Sequence, residues 1–135
     1  MRIYPDSIKP YENEPMSSDV EVVNDNHIGK TLIANRLYES GKLMFEFRGQ
    51  ATTEITQWSL QVLEGLHIED LHLVGYTPHS CNPNASVDMH KMTFTALREI
   101  KKGERITMDY KQTESKLYSI FECNCGSPVC KVIIE

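Results

Sequence analysis

Three of the four cysteines of this chain lie within eight residues, in "CNCGSPVC" at 123 to 130, and the fourth stands alone at position 81 in "TPHSCNPNAS". Structural zinc is held by four soft ligands in a tetrahedron, so a C-x-C-x4-C tail supplies three thiolates and needs one more from elsewhere. Cys81 is the remaining thiol, and a site shared by Cys81, Cys123, Cys125 and Cys130 ties the middle of the chain to its end. Gly126, Ser127 and Pro128 are the residues expected to turn the tail back on itself. Such a site is closed, with no open position for a substrate, and its metal is structural. The same residues admit two other readings, with Cys81 a small buried apolar group beside a redox-active tail, or with His79 as the fourth ligand.

The chain has 135 residues, the size of one ordinary domain. Hydrophobic residues make up 40% and charged residues 24%, with no apolar run long enough to span a bilayer, so a membrane location is not expected. The stretch "MRIYPDSIKP" has no secretory signal pattern. That predicts a reducing, intracellular compartment, cytoplasm or nucleus, where cysteines are thiols or metal ligands. The formal net charge is -5. Residues 1–26 carry Asp6, Glu12, Glu14, Asp19, Glu21 and Asp25 against Arg2 and Lys9, and the rest of the chain is nearly neutral. No basic stripe interleaved with aromatics is present, so direct nucleic-acid binding is not expected, and a basic peptide suits the acidic segment better.

Pro5, Pro10 and Pro15 preclude a continuous helix or central strand and predict an extended arm over 1–19. Beyond it, "DVEVV", "TLIAN", "LMFEF", "TQWSLQVL", "MTFTALR" and "RITMDY" are short, rich in β-branched and aromatic residues, and bounded by glycine-containing turns. They predict strands. Only 68–73 and 114–121 are candidate short helices, and no βαβ alternation is present, so the expected fold class is mainly β, in several small sheets. Nucleotide-binding glycine loops and the H-E-x-x-H zinc-protease pattern are missing. Pro78 and Pro83 stiffen the turn around His79 and Cys81, and Asn84 is placed to hydrogen-bond backbone there. His79 alone reads equally as a structural histidine or a base, since no serine or aspartate pairs with it at an interpretable spacing.

Taken in order, "HSCNPN" at 79–84, "ALREIKKGERITMDY" at 96–110 and "CNCGSPVC" at 123–130 resemble the SET-domain family of S-adenosylmethionine-dependent protein lysine methyltransferases with a post-SET tail. The resemblance covers about residues 20–131. It implies a SET domain over 20–112, with a short variable insert at about 51–75, and a post-SET zinc-binding tail over 113–135. The implied fold is a set of small, mostly antiparallel sheets around a pseudoknot. The implied function is methyl transfer to a lysine in an extended basic peptide such as a histone tail, and the cofactors are S-adenosylmethionine and one structural zinc. The same motif assigns Cys81 as the fourth zinc ligand.

Residue by residue, the resemblance makes Tyr110 the catalytic tyrosine. Gly29, Lys30 and Thr31 correspond to the glycine turn at the methyl donor, Pro78 and His79 to the middle motif beside it, and Phe121 to the position that packs on adenine. Phe47, Tyr76 and Met108 correspond to positions around the lysine channel. At Met108, a side chain unable to hydrogen-bond water implies that more than one methyl group can be added. Three positions depart from the family pattern: Pro78 stands where an asparagine is usual, Thr31 where a second glycine is usual, and Phe47 where a tyrosine is frequent. They support an alternative reading, a catalytically weak or inactive SET-like peptide-binding module that keeps the fold and the zinc.

Overall fold

The computed structural model describes residues 1–26, 29–123, 125, 127–128, 130–131 and 133–134. Gly126, expected in the turn of the tail, and His27 and Ile28, at the head of the glycine turn, lie outside the described residues. Strands β1 (Val20–Asp25) and β2 (Gly29–Ala34) form an antiparallel hairpin in which Val20 faces Ala34 and Asp25 faces Gly29. Gly29 opens β2 at a φ of +79°, the left-handed region that glycine enters without a Cβ penalty.

Two three-stranded antiparallel sheets follow. β3 (Leu43–Glu46), β7 (Ala85–Asp88) and β8 (Thr93–Ala96) are ordered β3-β8-β7. β4 (Gln50–Thr52), β5 (Ser59–Leu63) and β6 (Leu66–Glu69) are ordered β4-β6-β5. The β5–β6 hairpin closes over Glu64 and Gly65, with Gly65 at a φ of +82°, which glycine enters without a Cβ penalty. In the tail, β9 (Phe121–Glu122) pairs with β10 (Ile133–Ile134). The described residues contain no α-helix, hence no helix long and apolar enough to cross a membrane.

The alternation of strand side chains builds one core. Val20, Leu32, Ala34, Phe45, Phe94 and Ile106 are all at most 1% exposed. Phe45 stacks on Phe94 at 4.9 Å, and Phe47 meets Phe94 edge-on at 5.7 Å.

Three expectations from the sequence require correction. "RITMDY" forms no strand. Ile106 N–H donates to Leu32 and Ala34 N–H donates to Glu104 on one side, while Met108 pairs with the turn at 78–80 on the other. With its hydrogen bonds divided between two partners, the segment builds single bridges rather than a ladder. The stretch 68–73 is not helical either: β6 runs to Glu69, and the buried Asp70 carboxylate then accepts the N–H groups of His72, Leu73 and Val74, leading into a 3-10 turn over Val74–Tyr76. Residues 114–121 hold no helix; a single 3-10 turn occupies Tyr110–Gln112.

The proline-rich segment 1–19 packs against the domain rather than projecting from it. The Arg2 guanidinium clasps the buried Glu14 carboxylate at 2.7 and 3.0 Å. Asp6 and Glu14 are ion-paired with Arg2, Asp19 with Arg36 and Asp25 with Arg105, so four of the six carboxylates counted in residues 1–26 have cationic partners within the chain. The Tyr4 hydroxyl donates to Asp70 at 2.6 Å and accepts the Arg48 N–H at 3.0 Å. Tyr4 is 2% exposed and Asp70 1%. Tyr4→Phe strands both partners away from water, and the expected cost is about 1–3 kcal/mol, seen as a lower urea midpoint with an unchanged slope. A midpoint equal to that of the unsubstituted protein would refute this assignment.

Candidate functional site: two cavities beside a four-cysteine cluster

The turn carrying His79 and Cys81 is built by pairing with the chain around Met108. Met108 N–H donates to the Pro78 carbonyl at 3.1 Å, and Ser80 N–H donates to the Met108 carbonyl at 2.9 Å. Asn84 anchors the far end of the turn, its amide donating to the Arg105 carbonyl at 2.7 Å and its oxygen accepting Thr107 N–H at 2.9 Å. The sequence pointed to backbone bonding by Asn84; its partners lie more than twenty residues away. A buried amide with both ends engaged fixes the relative position of the two segments.

His79 connects this turn to its neighbours. Its ring is 2% exposed, and Nδ1 accepts the Tyr110 N–H at 3.0 Å. That bond puts the imidazole proton on Nε2, which faces the Cys81 Sγ at 3.4 Å. Burial holds the His79 pKa below its ordinary value, against the opposing pull of Asp109. The neutral ring thus braces Tyr110 on one side and a cysteine sulfur on the other.

The Sγ atoms of Cys81, Cys123, Cys125 and Cys130 lie within 4.8 Å of one another, with Cys81 and Cys123 at 3.9 Å. Zinc–sulfur bonds of about 2.3 Å in a tetrahedron set sulfurs about 3.8 Å apart, so the donor set and spacing fit a structural zinc. Burial raises the thiol pKa at Cys81, and at Cys123 up to about 12, whereas backbone N–H groups, that of Ser127 foremost, lower Cys125 to about 6. Four thiolates can share this partly buried site only around a compensating cation. His79 stands next to the cluster as a hydrogen-bond donor to Cys81, outside the four sulfurs.

Two cavities meet beside this cluster. The larger, about 890 Å³, is lined by Lys30, Tyr76, Pro78, His79 and Arg105, and on the tail side by Phe121 and Cys123. The smaller, about 110 Å³, is lined by Val74, Glu114, Leu117 and Tyr118 among others. Thr77, Tyr110, Trp58 and Phe121 line both. The Tyr110 hydroxyl donates to the Thr77 carbonyl at 2.7 Å, and its ring packs against His79 at 5.1 Å and Phe121 at 5.9 Å. Burial, reinforced by the nearby Glu114 charge, raises the Tyr110 pKa to about 12, so the phenol stays protonated at neutral pH.

The residues singled out in the sequence therefore divide. Tyr110, Lys30, Pro78, His79, Phe121 and Tyr76 line the larger cavity, with the Lys30 ammonium 5.2 Å from the Tyr76 ring centroid. Gly29, Thr31, Phe47 and Met108 are not among the residues lining either cavity. Phe47 and Met108 are core residues, and Thr31 is a buried residue of β2 whose hydroxyl has no partner among the described residues. Trp58, Arg105 and Glu114 were not singled out, although they wall the cavities. Trp58 is the only tryptophan of the chain, and that rarity was the one signal available. It packs against Gly75, where a Cβ would stand 3.0 Å from the Trp58 Cβ and 2.6 Å from the Asp70 carbonyl oxygen.

Residues 29–111 match the SET domain family. The chain belongs to the SET-domain family. The matched segment contains Tyr110 and Cys81, and the remaining three cysteines follow it, as a post-SET zinc cluster would. The chain is 30% identical, over 137 aligned residues, to a histone-lysine N-methyltransferase, H3 lysine-36 specific, of Candida albicans, covering 84% of this chain and 16% of that protein. A methyltransferase of Aspergillus flavus is 33% identical over 81 residues, covering 58% of this chain and 46% of its own length. The chain thus spans less than half of each of these relatives. Among solved structures, KRYPTONITE in complex with mCHG DNA and SAH matches with a TM-score of 0.68 at 18% identity, covering 84% of this chain and 28% of that one. KRYPTONITE in complex with mCHH DNA, H3(1-15) peptide and SAH matches with a TM-score of 0.64. These structural likenesses establish that the SET fold is shared.

Within this SET domain, Pro78 contributes a carbonyl to the Met108 pairing and lines the larger cavity without an amide N–H of its own. Metal analysis of the purified protein is expected to give about one equivalent of zinc per chain, lost in Cys81→Ser. Full retention of metal in that variant would break the link between the middle of the chain and the tail.

Proposed function

We propose that the chain is a protein-lysine N-methyltransferase: the larger cavity receives S-adenosylmethionine and the smaller one the side chain of a lysine in an extended basic peptide such as a histone tail. The supporting observation is the position of Tyr110, a half-buried residue that lines both a wide cleft and a narrow cavity and whose hydroxyl is held by the Thr77 carbonyl. A volume of about 890 Å³ lies in the range of roughly 300–1,000 Å³ typical of cofactor clefts. The narrow cavity, at about 110 Å³, is smaller than the roughly 150 Å³ void that holds a benzene ring, and suits an unbranched alkyl chain.

The bound donor would supply a sulfonium methyl group. Lys30 brings positive charge to the large cleft, suited to the carboxylate of the donor's amino-acid portion, and Arg105, which also lines it, is paired with Asp25. The Phe121 ring offers an apolar face for a purine. In the narrow cavity, Val74, Leu117 and the Tyr110 ring remove water from the lysine stem. Desolvation would favour the neutral amine, the form whose lone pair can accept the methyl group that the donor would supply, leaving a neutral thioether. The surplus amine proton leaves to water. Tyr110, with its own proton held by the Thr77 carbonyl, presents phenolic oxygen lone pairs to the amine and to the methyl hydrogens, so its role is alignment rather than proton transfer.

A second reading, the catalytically weak SET-like binding module, draws on Pro78 in the large cleft and Thr31 in β2. Isothermal titration with S-adenosylhomocysteine separates the two. The enzyme reading expects binding at micromolar to millimolar concentration, with Tyr110→Phe retaining that binding while turnover on histone peptides falls by roughly 10²-fold or more. No binding up to millimolar concentration, or normal turnover in Tyr110→Phe, contradicts it.

A further inference from the structure

The narrow cavity holds a group that the reaction described above leaves unused. Glu114 is 7% exposed and lines the cavity with Tyr110, Val74 and Leu117. A carboxylate so deep in a mostly apolar pocket is unfavourable unless something holds it and something uses it.

What holds it is a two-way clasp between β5 and the chain after Tyr110. Gln61 N–H donates to the Glu114 Oε2 at 2.8 Å, and in return the Gln61 side-chain oxygen accepts both the N–H and the hydroxyl of Ser115, each at 2.8 Å. Glu114 N–H also donates to the Tyr110 carbonyl at 2.8 Å, closing one turn of chain between the two residues. The carboxylate is therefore fixed relative to the Tyr110 ring and cannot swing out to solvent without opening the clasp. Burial pushes its carboxyl above the ordinary range, with Gln61 N–H, Thr113 and His67 opposing.

We propose that Glu114 is the anionic recognition group for the substrate's ammonium, so that the narrow cavity selects a cationic alkyl chain over a neutral one of equal shape. The contact serves the lysine as it enters charged and is given up when the amine proton leaves to water, so it acts in selection and opposes the desolvation that favours the neutral amine. This rests on the reading that this cavity admits the acceptor lysine. The clasp places the charge on a rigid element, as a selective site requires, and the apolar walls keep the charge-assisted contact dry and strong. The Gln61 and Thr113 hydrogen bonds hold Glu114 in place, and the oxygen of a neutral amide still accepts the Gln61 N–H. A change from carboxylate to amide at this position is therefore felt most by a charged occupant.

The experiment uses the zinc-loaded full chain and the fluorescence of Trp58, the single tryptophan, which walls this cavity. n-Butylammonium and n-butanol, near-isosteric mimics of the lysine side chain with and without charge, are titrated separately at matched ionic strength. The expected result is saturable binding of the amine at concentrations about tenfold below the alcohol, as for a charge-assisted hydrogen bond. In Glu114→Gln the two ligands should converge to within about twofold, with alcohol binding unchanged. A wild-type protein without amine preference, or without a saturable response to either ligand, overturns the proposal with no variant needed. An undiminished preference in Glu114→Gln overturns it as well. Calorimetry with S-adenosylhomocysteine, run in parallel, reports on the larger cleft, so loss of the methyltransferase reading and loss of the Glu114 assignment give separate signatures.

Discussion

The short parallel pairing of Met108 with Pro78 and Ser80 is the contact on which the rest of the site depends. Two backbone hydrogen bonds, backed by the Asn84 side chain, lock the middle turn against the segment that ends in Tyr110. Because His79 lies between the two paired residues of the turn, its ring is delivered to the Tyr110 amide on one side and to Cys81 on the other. Tyr110 then stands at the meeting of the two cavities, and Cys81 points to the tail. A loop of this shape, with two prolines and few local hydrogen bonds, has no stable conformation alone, so its geometry comes from these long-range partners.

The tail completes what the pairing begins. Phe121 and Cys123 form part of the large cleft, and Phe121 also closes the small one. Among the described residues, two pair in each of β9 and β10, too few to hold a segment in place unaided. The sulfur cluster is the stronger fastening. Cys123 and Cys125 of the cluster line the large cleft, and Phe121, two residues before Cys123, lines both cavities, so a metal held by the four sulfurs would fix part of their outer wall. The N-terminal segment acts similarly from the other side: Tyr4 reaches Asp70, and Asp70 shapes the turn leading to Thr77, the carbonyl that positions the Tyr110 hydroxyl.

Much of this was legible in the sequence, for identifiable reasons. Metal ligation demands a fixed number of soft donors, so counting thiols already linked Cys81 to Cys123, Cys125 and Cys130. Short stretches rich in β-branched and aromatic residues between glycine-containing turns marked β1, β2, β3, β5 and β8. Tyr110 was visible only through the resemblance of "RITMDY" to a family motif, because a tyrosine at a strand end has no chemical signature of its own. "RITMDY" itself misled, since its strand-like composition serves pairing divided between β2 and the middle turn. The folding of residues 1–19 onto the domain was hidden because Arg2–Glu14 and Tyr4–Asp70 are contacts between polar groups at no regular spacing. Glu114 and Trp58 were missed for the same reason: a cavity is a property of three segments brought together, and none of them carries its outline.

The central claim is that closing the tail onto Cys81 builds the wall of the donor cleft. The direct measurement is the affinity for S-adenosylhomocysteine, by calorimetry, of the zinc-loaded protein and of the same protein after chelation. If the claim holds, metal removal weakens binding by more than about tenfold while the far-ultraviolet circular dichroism of the β core persists, and restoring zinc restores the affinity. Equal affinity in the metal-free protein, with the β core intact, would contradict it.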